Sequence, residues 1–488
     1  MSERELAVLS WVEKQLFISG KWIDASDSKT FEVEDPATNA TLGQVADANA
    51  SDATAALDSA VDAFDSWSKT PPRQRAEILR SAFELIVAKQ DELALLMTLE
   101  MGKPLSESRG EVAYAAEFFR WFSEEAVRIE GRYYVAPDGN SRVLTMKQPV
   151  GPAYMITPWN FPLAMGTRKI GPALAAGCTV ILKPAHQTPF CSLALTQILI
   201  DAGLPAGVLN VIPTTDAGGV TDALLADSRL RKLSFTGSTA IGKMLVAKSA
   251  NNLLRVSMEL GGNAPFIVFD DADLDLAVEG AMVAKMRNMG EACTSANRFI
   301  VSSKVADAFG EKLAARMGSM RLGRGTEDGT QVGPLIDAKA VIKVQNLVQD
   351  AVSRGARVVT GGNQVNGVGH FFSPTVLTGV DRGAKISHEE IFGPVASIVT
   401  FDTEQDAISL ANATEYGLVA YVFSQNLSRA LRVIENLESG MVGLNQGLVS
   451  NAAAPFGGVK QSGFGREGGH EGIEEYLALK YVAINHRI

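Results

Sequence analysis

The sequence predicts an α/β fold in which parallel β-sheets are covered by helices, because short apolar runs alternate with helical patterns over most of the chain. The first alternating block begins at Gly151. Its apolar runs cover residues 153–156, 179–182, 208–212, 232–235 and 254–258. A second block begins at Phe266 and continues to about Val442. We therefore expect two sheets of buried strands in separate domains.

The segments outside these blocks have other patterns. Apolar positions at three- and four-residue spacing predict helices over 51–130, most clearly over 73–99. Residues 131–148 predict a β-hairpin that turns at Pro137-Asp138-Gly139. The last apolar run, 476–484, reads as a strand that we expect to extend the sheet of the hairpin, in this chain or on another subunit.

Composition limits the classes of function. The chain has 488 residues, enough for two or three domains with sizeable cores. Its formal net charge of −10 disfavours nucleic acid and anionic membranes as partners. The three cysteines predict no disulfide framework, and the polar amino terminus has no signal-like core, so we expect a cytoplasmic protein. No apolar run is long enough to span a bilayer, and the scattered histidines predict no metal site.

Cys293 is a candidate nucleophile. It follows a helical pattern that starts near Leu274 and precedes an apolar run at 299–301. Small residues surround it, and Gly290 lies three positions before it, so substrate and backbone can approach the thiol. Thiolates are strong nucleophiles, which makes covalent catalysis one interpretation. The other is a small buried hydrophobic residue, which is how most free cysteines behave.

The segment from Ser234 to Lys243 reads as a strand, a glycine turn and the start of a helix, an arrangement that presents backbone N–H groups to phosphate. Residues 237–243 spell G-x-x-x-x-G-K, but Met244 stands where a P-loop needs Ser or Thr for magnesium. A dinucleotide site with a variant glycine turn, a P-loop hydrolase and an ordinary turn all remain open.

Polar residues at other predicted strand ends could carry chemistry. Glu259 ends an apolar strand before two glycines, where a carboxylate is either a surface charge or a general base over a cleft. Asn160 lies between two prolines in a rigid loop, Thr157 to Pro162, and its amide could donate to an oxyanion or simply form a turn. Lys183 could reach a ribose or phosphate. The acidic turn 389–394 could bind a ribose hydroxyl or be solvated.

Together these motifs resemble the aldehyde dehydrogenase superfamily in its own order along nearly the whole chain. The matching stretches are 158–162, 183–184, 235–242, 259–263, 290–293 and 390–394. Further segments are similar to the succinate-semialdehyde dehydrogenases of that superfamily. These segments are 97–105, 169–178, 264–273 and 455–467.

The resemblance implies a domain organisation. It implies a Rossmann-like cofactor domain, formed by 1–130 and 149–260, and an α/β catalytic domain at 261–460. It also implies a small β oligomerisation element at 131–148 and 470–488, in a homodimer or homotetramer.

The resemblance further implies catalytic roles. Cys293 would attack the aldehyde, the Asn160 side chain and the Cys293 N–H would hold the oxyanion, and Glu259 would activate the water that hydrolyses the thioester. NAD or NADP would be the cofactor. The implied cofactor-binding residues are Thr157, Trp159, Lys183, His186, Gly237, Ser238, Gly242, Glu390 and Phe392.

The substrate implied by the resemblance is succinate semialdehyde, with glutarate semialdehyde or lactaldehyde as alternatives. Arg168, Arg287 and Ser450 would hold its carboxylate, because a guanidinium pairs with a carboxylate through two hydrogen bonds. The competing interpretation is that each arginine is a surface charge on a helix. A P-loop hydrolase and a non-catalytic scaffold that keeps the fold are hypotheses from other classes.

Three positions depart from the pattern of the family. Glu291 stands where the family usually has Gln, and we expect its side chain to point away from Cys293, since a facing carboxylate would raise the pKa of the thiol. Ser295 replaces a second cysteine of some relatives, so we expect no disulfide switch. His186 replaces a ribose-binding Glu, so we expect NADP to be accepted.

Overall fold

The computed structural model of the chain describes residues 1–485. The helices are α1 (Glu3–Trp11), α2 (Ala50–Ser68), α3 (Pro72–Ala88), α4 (Gln90–Met101), α5 (Leu105–Glu125), α6 (Ala164–Ala176), α7 (Phe190–Asp201), α8 (Ala217–Ala226), α9 (Thr239–Ser249), α10 (Leu274–Met286), α11 (Ala306–Gly318), α12 (Ala338–Ser353), α13 (Glu404–Asn412), α14 (Leu427–Asn436) and α15 (Glu471–Glu474). Within these described residues, no helix is both long enough and apolar enough to cross a bilayer.

The strands form three larger sheets and two short ribbons. They are β1 (Leu16–Ile18), β2 (Lys21–Ile23), β3 (Thr30–Asp35), β4 (Ala40–Ala46), β5 (Arg132–Val135), β6 (Ser141–Pro149), β7 (Ala153–Ile156), β8 (Val180–Lys183), β9 (Leu209–Val211), β10 (Lys232–Thr236), β11 (Arg255–Glu259), β12 (Ala264–Val268), β13 (Ala296–Ser302), β14 (Arg357–Thr360), β15 (Thr375–Thr378), β16 (Val395–Phe401), β17 (Tyr416–Gly417), β18 (Val419–Phe423), β19 (Met441–Leu444), β20 (Val459–Lys460), β21 (Gly463–Phe464) and β22 (Leu477–Asn485).

The first sheet has the order β2-β1-β9-β8-β7-β10-β11-β21. Strands β9, β8, β7, β10 and β11 are parallel, and antiparallel strands cover both edges. Its central strands are buried along their whole length, as expected for a parallel sheet with helices on both faces. The register places Ile156 beside Lys183 and Thr236 beside Glu259, so the carboxyl ends of these strands meet at one edge of the sheet.

The second sheet has the order β14-β15-β16-β13-β12-β18-β19 and is parallel except at β14. Its core contains an aromatic cluster in which the Phe266 ring stacks on the Phe423 ring, with centroids 4.8 Å apart. Strands β12, β13 and β16 begin shortly after Gly262, Cys293 and Phe392. The carboxyl end of the first sheet therefore faces the amino ends of three strands in the second.

The third sheet has the order β22-β6-β5 and contains the hairpin that the sequence indicates. Strand β22 pairs along its whole length with β6 of the same chain. This sheet exposes large apolar side chains, including Tyr133, Tyr134, Leu479 and Tyr481. Residues 486–488 of the expected oligomerisation element lie outside the described residues.

The secondary structure differs from the sequence-based prediction in two places. The single helix predicted over 73–99 is two helices, because the backbone of Lys89 (φ −102°, ψ 22°) leaves the helical region between α3 and α4. Residues beyond position 460 also contribute to the first sheet, since β21 pairs with the end of β11 at Met258 and Glu259.

Candidate active site

A cleft between the first two sheets brings the main candidate residues together. A cavity of about 270 Å³, here called the central cavity, is lined from the first sheet by Asn160, Gly237, Ser238 and Glu259 and from the second by Cys293, Glu390 and Phe392. Trp159 and Thr236 also line it. The site therefore lies where the ends of parallel strands converge, the usual place for a ligand in an open α/β protein.

A left-handed turn presents the nucleophile. After α10 the backbone φ angles of Asn288, Met289 and Gly290 are 54°, 54° and 78°. A side chain at Gly290 would place its Cβ 2.2 Å from the carbonyl oxygen of Gly393, so only glycine allows the turn to pack on the 390–394 segment. Cys293 emerges partly exposed from this turn, whereas Ala292 and Thr294 beside it are buried.

The electrostatic surroundings keep the Cys293 thiol protonated. Burial raises its pKa to about 12, and the carboxyl groups of Glu390 and Glu259 add to that rise, while the charge of Arg168 opposes it. A thiolate must nevertheless form for attack, so the site needs a nearby base.

Glu259 has the properties of that base. It is buried at the end of β11, and neither carboxyl oxygen has a hydrogen-bond partner in residues 1–485. Burial and the nearby Glu467 carboxyl raise its pKa well above the ordinary range, although Arg168 and Lys169 oppose the rise. A carboxylate with a raised pKa accepts a proton more readily near neutral pH.

Asn160 is held from several sides. Its Nδ2 donates to the carbonyl oxygen of Glu291 at 3.0 Å, which uses one of the two amide hydrogens. Its own carbonyl oxygen accepts from Lys103 Nζ at 2.8 Å and from Asn288 Nδ2 at 3.0 Å. The amide is therefore fixed at the wall of the central cavity, with one hydrogen free for a developing oxyanion.

The Glu291 side chain binds a backbone group ahead of α12. Its Oε1 accepts a hydrogen bond from the N–H of Ile336 at 3.1 Å. Burial raises the pKa of this carboxyl well above its usual range, which favours the neutral acid. That Glu291 does not face Cys293 stays a prediction.

The turn between β10 and α9 suits a pyrophosphate. A Cβ at Gly237 would lie 2.5 Å from the Phe235 ring, and one at Gly242 would lie 2.4 Å from the Leu260 side chain. Both glycines thus let α9 pack closely against the sheet. The Ser238 side chain makes no capping hydrogen bond to α9, which leaves the first N–H groups of the helix available to an anion.

The other predicted cofactor residues surround the same end of the cleft. Thr157, buried after β7, donates its N–H to the Lys183 carbonyl oxygen at 3.2 Å. Burial lowers the pKa of Lys183 to about 8, and its ammonium contacts the Pro184 carbonyl oxygen at 3.2 Å. His186 is exposed, with its ring edge against Phe31. These three residues and Gly242 do not line the central cavity.

Glu390 and Phe392 line the central cavity from the second sheet. Glu390 Oε1 accepts from the backbone N–H of Gly262 at 3.0 Å, and burial raises the pKa of this carboxyl. The Phe392 ring meets the Trp159 ring edge to face, with centroids 5.4 Å apart. A carboxylate that accepts hydrogen bonds, an aromatic wall, a glycine turn with free N–H groups and a buried amine thus lie around one cleft, and these groups suit a dinucleotide ligand.

The predicted substrate residues lie on another side of Cys293. A narrow cavity of about 10 Å³, the inner cavity, is lined by Cys293 and by Tyr114, Phe161, Met165, Arg168, Arg287, Thr294, Ser450 and Phe456. It adjoins an outer cavity of about 550 Å³ that shares Tyr114, Phe161, Arg287 and Ser450. The three predicted carboxylate binders therefore converge next to the nucleophile.

The two arginines differ in their partners. Arg168 is fully buried, forms an ion pair with Glu467 and leaves its Nη2 without a hydrogen-bond partner in the described chain. The Arg287 guanidinium donates to Ser450 Oγ at 3.2 Å and lies 4.8 Å from the centre of the Phe161 ring. Neither arginine is a solvated charge on a helix surface.

Several contacts in the site involve residues for which the sequence analysis predicted no role. Lys103 forms a buried ion pair with Glu111 at 2.5 Å while it holds the Asn160 carbonyl, and Lys169 binds Glu467 at 2.5 Å. Lys169 and Glu467 lie in the motifs that carry the family resemblance, but their contact is visible only once the chain is folded. Lys243 of the P-loop-like motif donates to the Gln461 side chain and does not line the central cavity.

The chain is similar to known proteins along nearly its whole length. The model of the aldehyde dehydrogenase family matches residues 22–482. A succinate-semialdehyde dehydrogenase of Paenarthrobacter nicotinovorans is 60% identical over 91% of this chain and 98% of its own length. A glutarate-semialdehyde dehydrogenase of Pseudomonas putida is 51% identical over 97% of this chain and 98% of its own. The crystal structure of an Escherichia coli NADP-dependent enzyme superposes with a TM-score of 0.96 at 51% identity, covering 97% of this chain and 98% of that one.

Proposed function

This chain belongs to the aldehyde dehydrogenase family, and we propose that its substrate is succinate semialdehyde, which it oxidises to succinate. The observation that carries the substrate assignment is Arg287. Its guanidinium lines the inner cavity beside Cys293, is bound to Ser450 and has no carboxylate partner in residues 1–485. A carboxylate at the far end of a short aldehyde would supply that partner.

The reaction begins at the Cys293 sulfur. Glu259 takes the thiol proton, directly or through a water, as the sulfur bonds to the aldehyde carbon. The aldehyde oxygen becomes an oxyanion, and the free Asn160 amide hydrogen and the Cys293 N–H donate to it. A bound nicotinamide cofactor supplies the acceptor for the hydride that leaves this carbon. What remains on Cys293 is a thioester.

Hydrolysis of the thioester returns the enzyme to its starting state. Once Glu259 has released the thiol proton to solvent, it accepts a proton from a water that attacks the thioester carbonyl carbon. The carbon–sulfur bond then breaks, and the proton held by Glu259 passes to the departing sulfur. The carboxylic acid leaves, and Cys293 regains its thiol proton. The raised pKa of Glu259 suits both proton transfers, because a strongly acidic carboxyl would be a poor base near neutral pH.

The cofactor is NAD(P), and we propose that the adenosine end of the site accepts NADP. The phosphate turn at Gly237, the Lys183 ammonium and the Glu390 carboxyl are the groups that would bind it. His186 stands at the exposed rim without a negative charge to repel a 2′-phosphate. The similar Escherichia coli enzyme is described as NADP-dependent, which supports this proposal.

Glutarate semialdehyde is a second candidate substrate. The outer cavity of about 550 Å³ has room for a longer chain, and a relative acting on that aldehyde is 51% identical. Lactaldehyde, which has no carboxylate, would leave Arg287 without an ionic partner. We therefore rank it below both semialdehydes.

A panel of aldehydes tests the assignment. Succinate semialdehyde, glutarate semialdehyde and the uncharged butanal and pentanal are assayed with NAD and with NADP. We expect kcat/KM for succinate semialdehyde to exceed that for butanal by at least tenfold, the effect of one charged hydrogen bond of about 1.5 kcal/mol. Equal values for the two would reject the substrate assignment. Cys293→Ala is the control, expected to lose turnover and keep cofactor binding.

Location and assembly are further parts of the proposal. The free thiols of Cys178, Cys191 and Cys293 suit a reducing compartment such as the cytoplasm. The exposed apolar side chains on β5 and β22 suit a homodimer or homotetramer contact. Light scattering of the purified protein, with Tyr481→Lys as the variant, tests the contact.

A further inference from the structure

Tyr114 carries a buried hydroxyl that the mechanism above does not use. The residue lies on α5, and its hydroxyl is shielded from solvent. The oxygen faces the Arg168 guanidinium, which can only donate, so the hydroxyl hydrogen has no acceptor in residues 1–485. Buried polar groups in folded proteins nearly always have a partner, so this hydrogen is available to an acceptor on a bound ligand. Tyr114 lines both the inner cavity beside Cys293 and the outer cavity.

The ring of Tyr114 is held in place. It packs edge to face against Phe118, with ring centroids 4.9 Å apart. The Arg287 guanidinium lies 5.7 Å from the centre of the same ring. The charges of Arg168 and Arg287 both act on the phenol, so the hydroxyl is close to the two guanidinium groups. Its position is therefore fixed before any substrate enters.

The surrounding groups select the kind of ligand. Ser450 Oγ accepts from Arg287, which leaves the hydroxyl hydrogen of Ser450 free to donate. Arg168 has an unpaired Nη2, and burial keeps the Tyr114 phenol protonated by raising its pKa. Four of the residues that line the inner cavity can therefore donate a hydrogen bond, namely Tyr114, Arg168, Arg287 and Ser450. A carboxylate, which only accepts hydrogen bonds, is the group that such a set binds.

We propose that the Tyr114 hydroxyl donates a hydrogen bond to the substrate carboxylate and so selects aldehydes that carry one. This inference rests on the proposed oxidation of a semialdehyde. Tyr114 is then a specificity-determining residue, acting together with Arg287 and Ser450. It takes no part in the bonds that form or break at Cys293.

The test is Tyr114→Phe, which removes one oxygen and keeps the ring that packs on Phe118. The readout is the ratio of kcat/KM for succinate semialdehyde to that for butanal. We expect this ratio to fall on the order of tenfold, as for a lost hydrogen bond to a charged group, with most of the change in KM. The loss for butanal should be smaller, because butanal has no carboxylate for the hydroxyl to bind. A general structural defect would lower both values and leave the ratio alone.

Tyr154→Phe is the matched control. Tyr154 is also buried, and its hydroxyl bonds to Thr221 at 3.0 Å, outside the lining of the three cavities. In Tyr154→Phe the ratio of kcat/KM for succinate semialdehyde to that for butanal should stay at the wild-type value. If Tyr114→Phe fails to fold, Tyr114→Met repeats the measurement with an unbranched apolar side chain.

The outcomes separate the two proposals. A wild-type ratio near one would reject the proposed substrate. A high wild-type ratio that Tyr114→Phe leaves unchanged would overturn the role of Tyr114 and leave the substrate assignment intact. A high ratio that falls in Tyr114→Phe and not in Tyr154→Phe would support both.

Discussion

Arg168 and Glu467 form a buried ion pair at the wall of the inner cavity, beside the nucleophile. Glu467 also binds Lys169, so two cations share one carboxylate. Buried charges require such partners, because an uncompensated charge away from water is very costly. Arg168 therefore already has a carboxylate partner within the fold. Arg287, without a carboxylate partner in residues 1–485, is the cation left for a charged substrate.

Replacing Arg287 by Gln should therefore remove most of the preference for a charged aldehyde. We expect kcat/KM for succinate semialdehyde to fall by about 10- to 150-fold, the loss of a charged hydrogen bond of about 1.5–3 kcal/mol. Butanal should change little, because it makes no ionic contact. Steady-state kinetics with both aldehydes measure the effect. Arg316→Gln, at an exposed arginine paired with Glu279, is the control, and an equal loss for both aldehydes would contradict the assignment.

The thiol of Cys293 should react slowly with alkylating agents at neutral pH. Its raised pKa of about 12 means that the thiolate fraction grows about tenfold for each pH unit below that value. We expect the rate of iodoacetamide labelling of the cofactor-free enzyme to rise about tenfold per unit from pH 7 to pH 10 without a plateau. Cys293→Ala measures the background from Cys178 and Cys191. A plateau below pH 8 would show that the thiol is activated before cofactor binds.

Replacing Glu291 by Gln should not change the pH dependence of Cys293 labelling. The Glu291 carboxyl is bound to the Ile336 N–H, and its raised pKa favours the neutral acid. Gln offers the same carbonyl acceptor, so we expect the labelling rate and kcat to stay within about twofold of wild type. A shift of the labelling curve to lower pH by one unit or more would mean that a charged Glu291 faces the thiol.

Replacing His186 by Glu should lower kcat/KM for NADP relative to that for NAD. A carboxylate at this rim would repel the 2′-phosphate, and two unit charges 4 Å apart in water already interact by about 1 kcal/mol. We expect kcat/KM for NADP to fall at least about fivefold while that for NAD is kept or rises. His186→Gln, which adds no charge, is the matched control. Equal effects of both variants on NADP would exclude a role for charge at this position.

The sequence predicts those parts of the site that depend on local pattern. Glu259 and Lys183 end apolar strands, and residues at the ends of parallel strands must share one edge of a sheet, so their convergence follows from the βαβ alternation. The ion pair between Arg168 and Glu467 joins segments far apart in the chain. A local sequence pattern cannot predict this ion pair, because the ion pair depends on how β21 and the segment after it pack against the first sheet.

The contacts that hold the Asn160 carbonyl oxygen could not be predicted from the sequence for the same reason. Asn288 reads as one polar residue in the segment before Cys293, yet its backbone adopts φ 54° and its Nδ2 contacts two carbonyl oxygens. A left-handed residue is a product of the surrounding packing, and a single sequence gives only the weak hint that Asn tolerates it.

Replacing Asn288 should displace the Asn160 amide that donates to the oxyanion, although Asn288 itself lines none of the three cavities. Its Nδ2 bonds to the carbonyl oxygens of Asn160 and Glu291 at 3.0 and 2.9 Å, so its loss frees the peptide that carries the Asn160 amide. We expect kcat to fall about tenfold or more, as catalysis depends on a preorganised donor, while the Kd for cofactor stays close to wild type. Alanine and glycine variants separate two causes. Asn288→Ala also strains the left-handed backbone by about 1–2 kcal/mol, whereas Asn288→Gly does not. Equal losses of kcat in both would assign the effect to the amide, and a normal kcat in Asn288→Gly would show that only the backbone conformation matters.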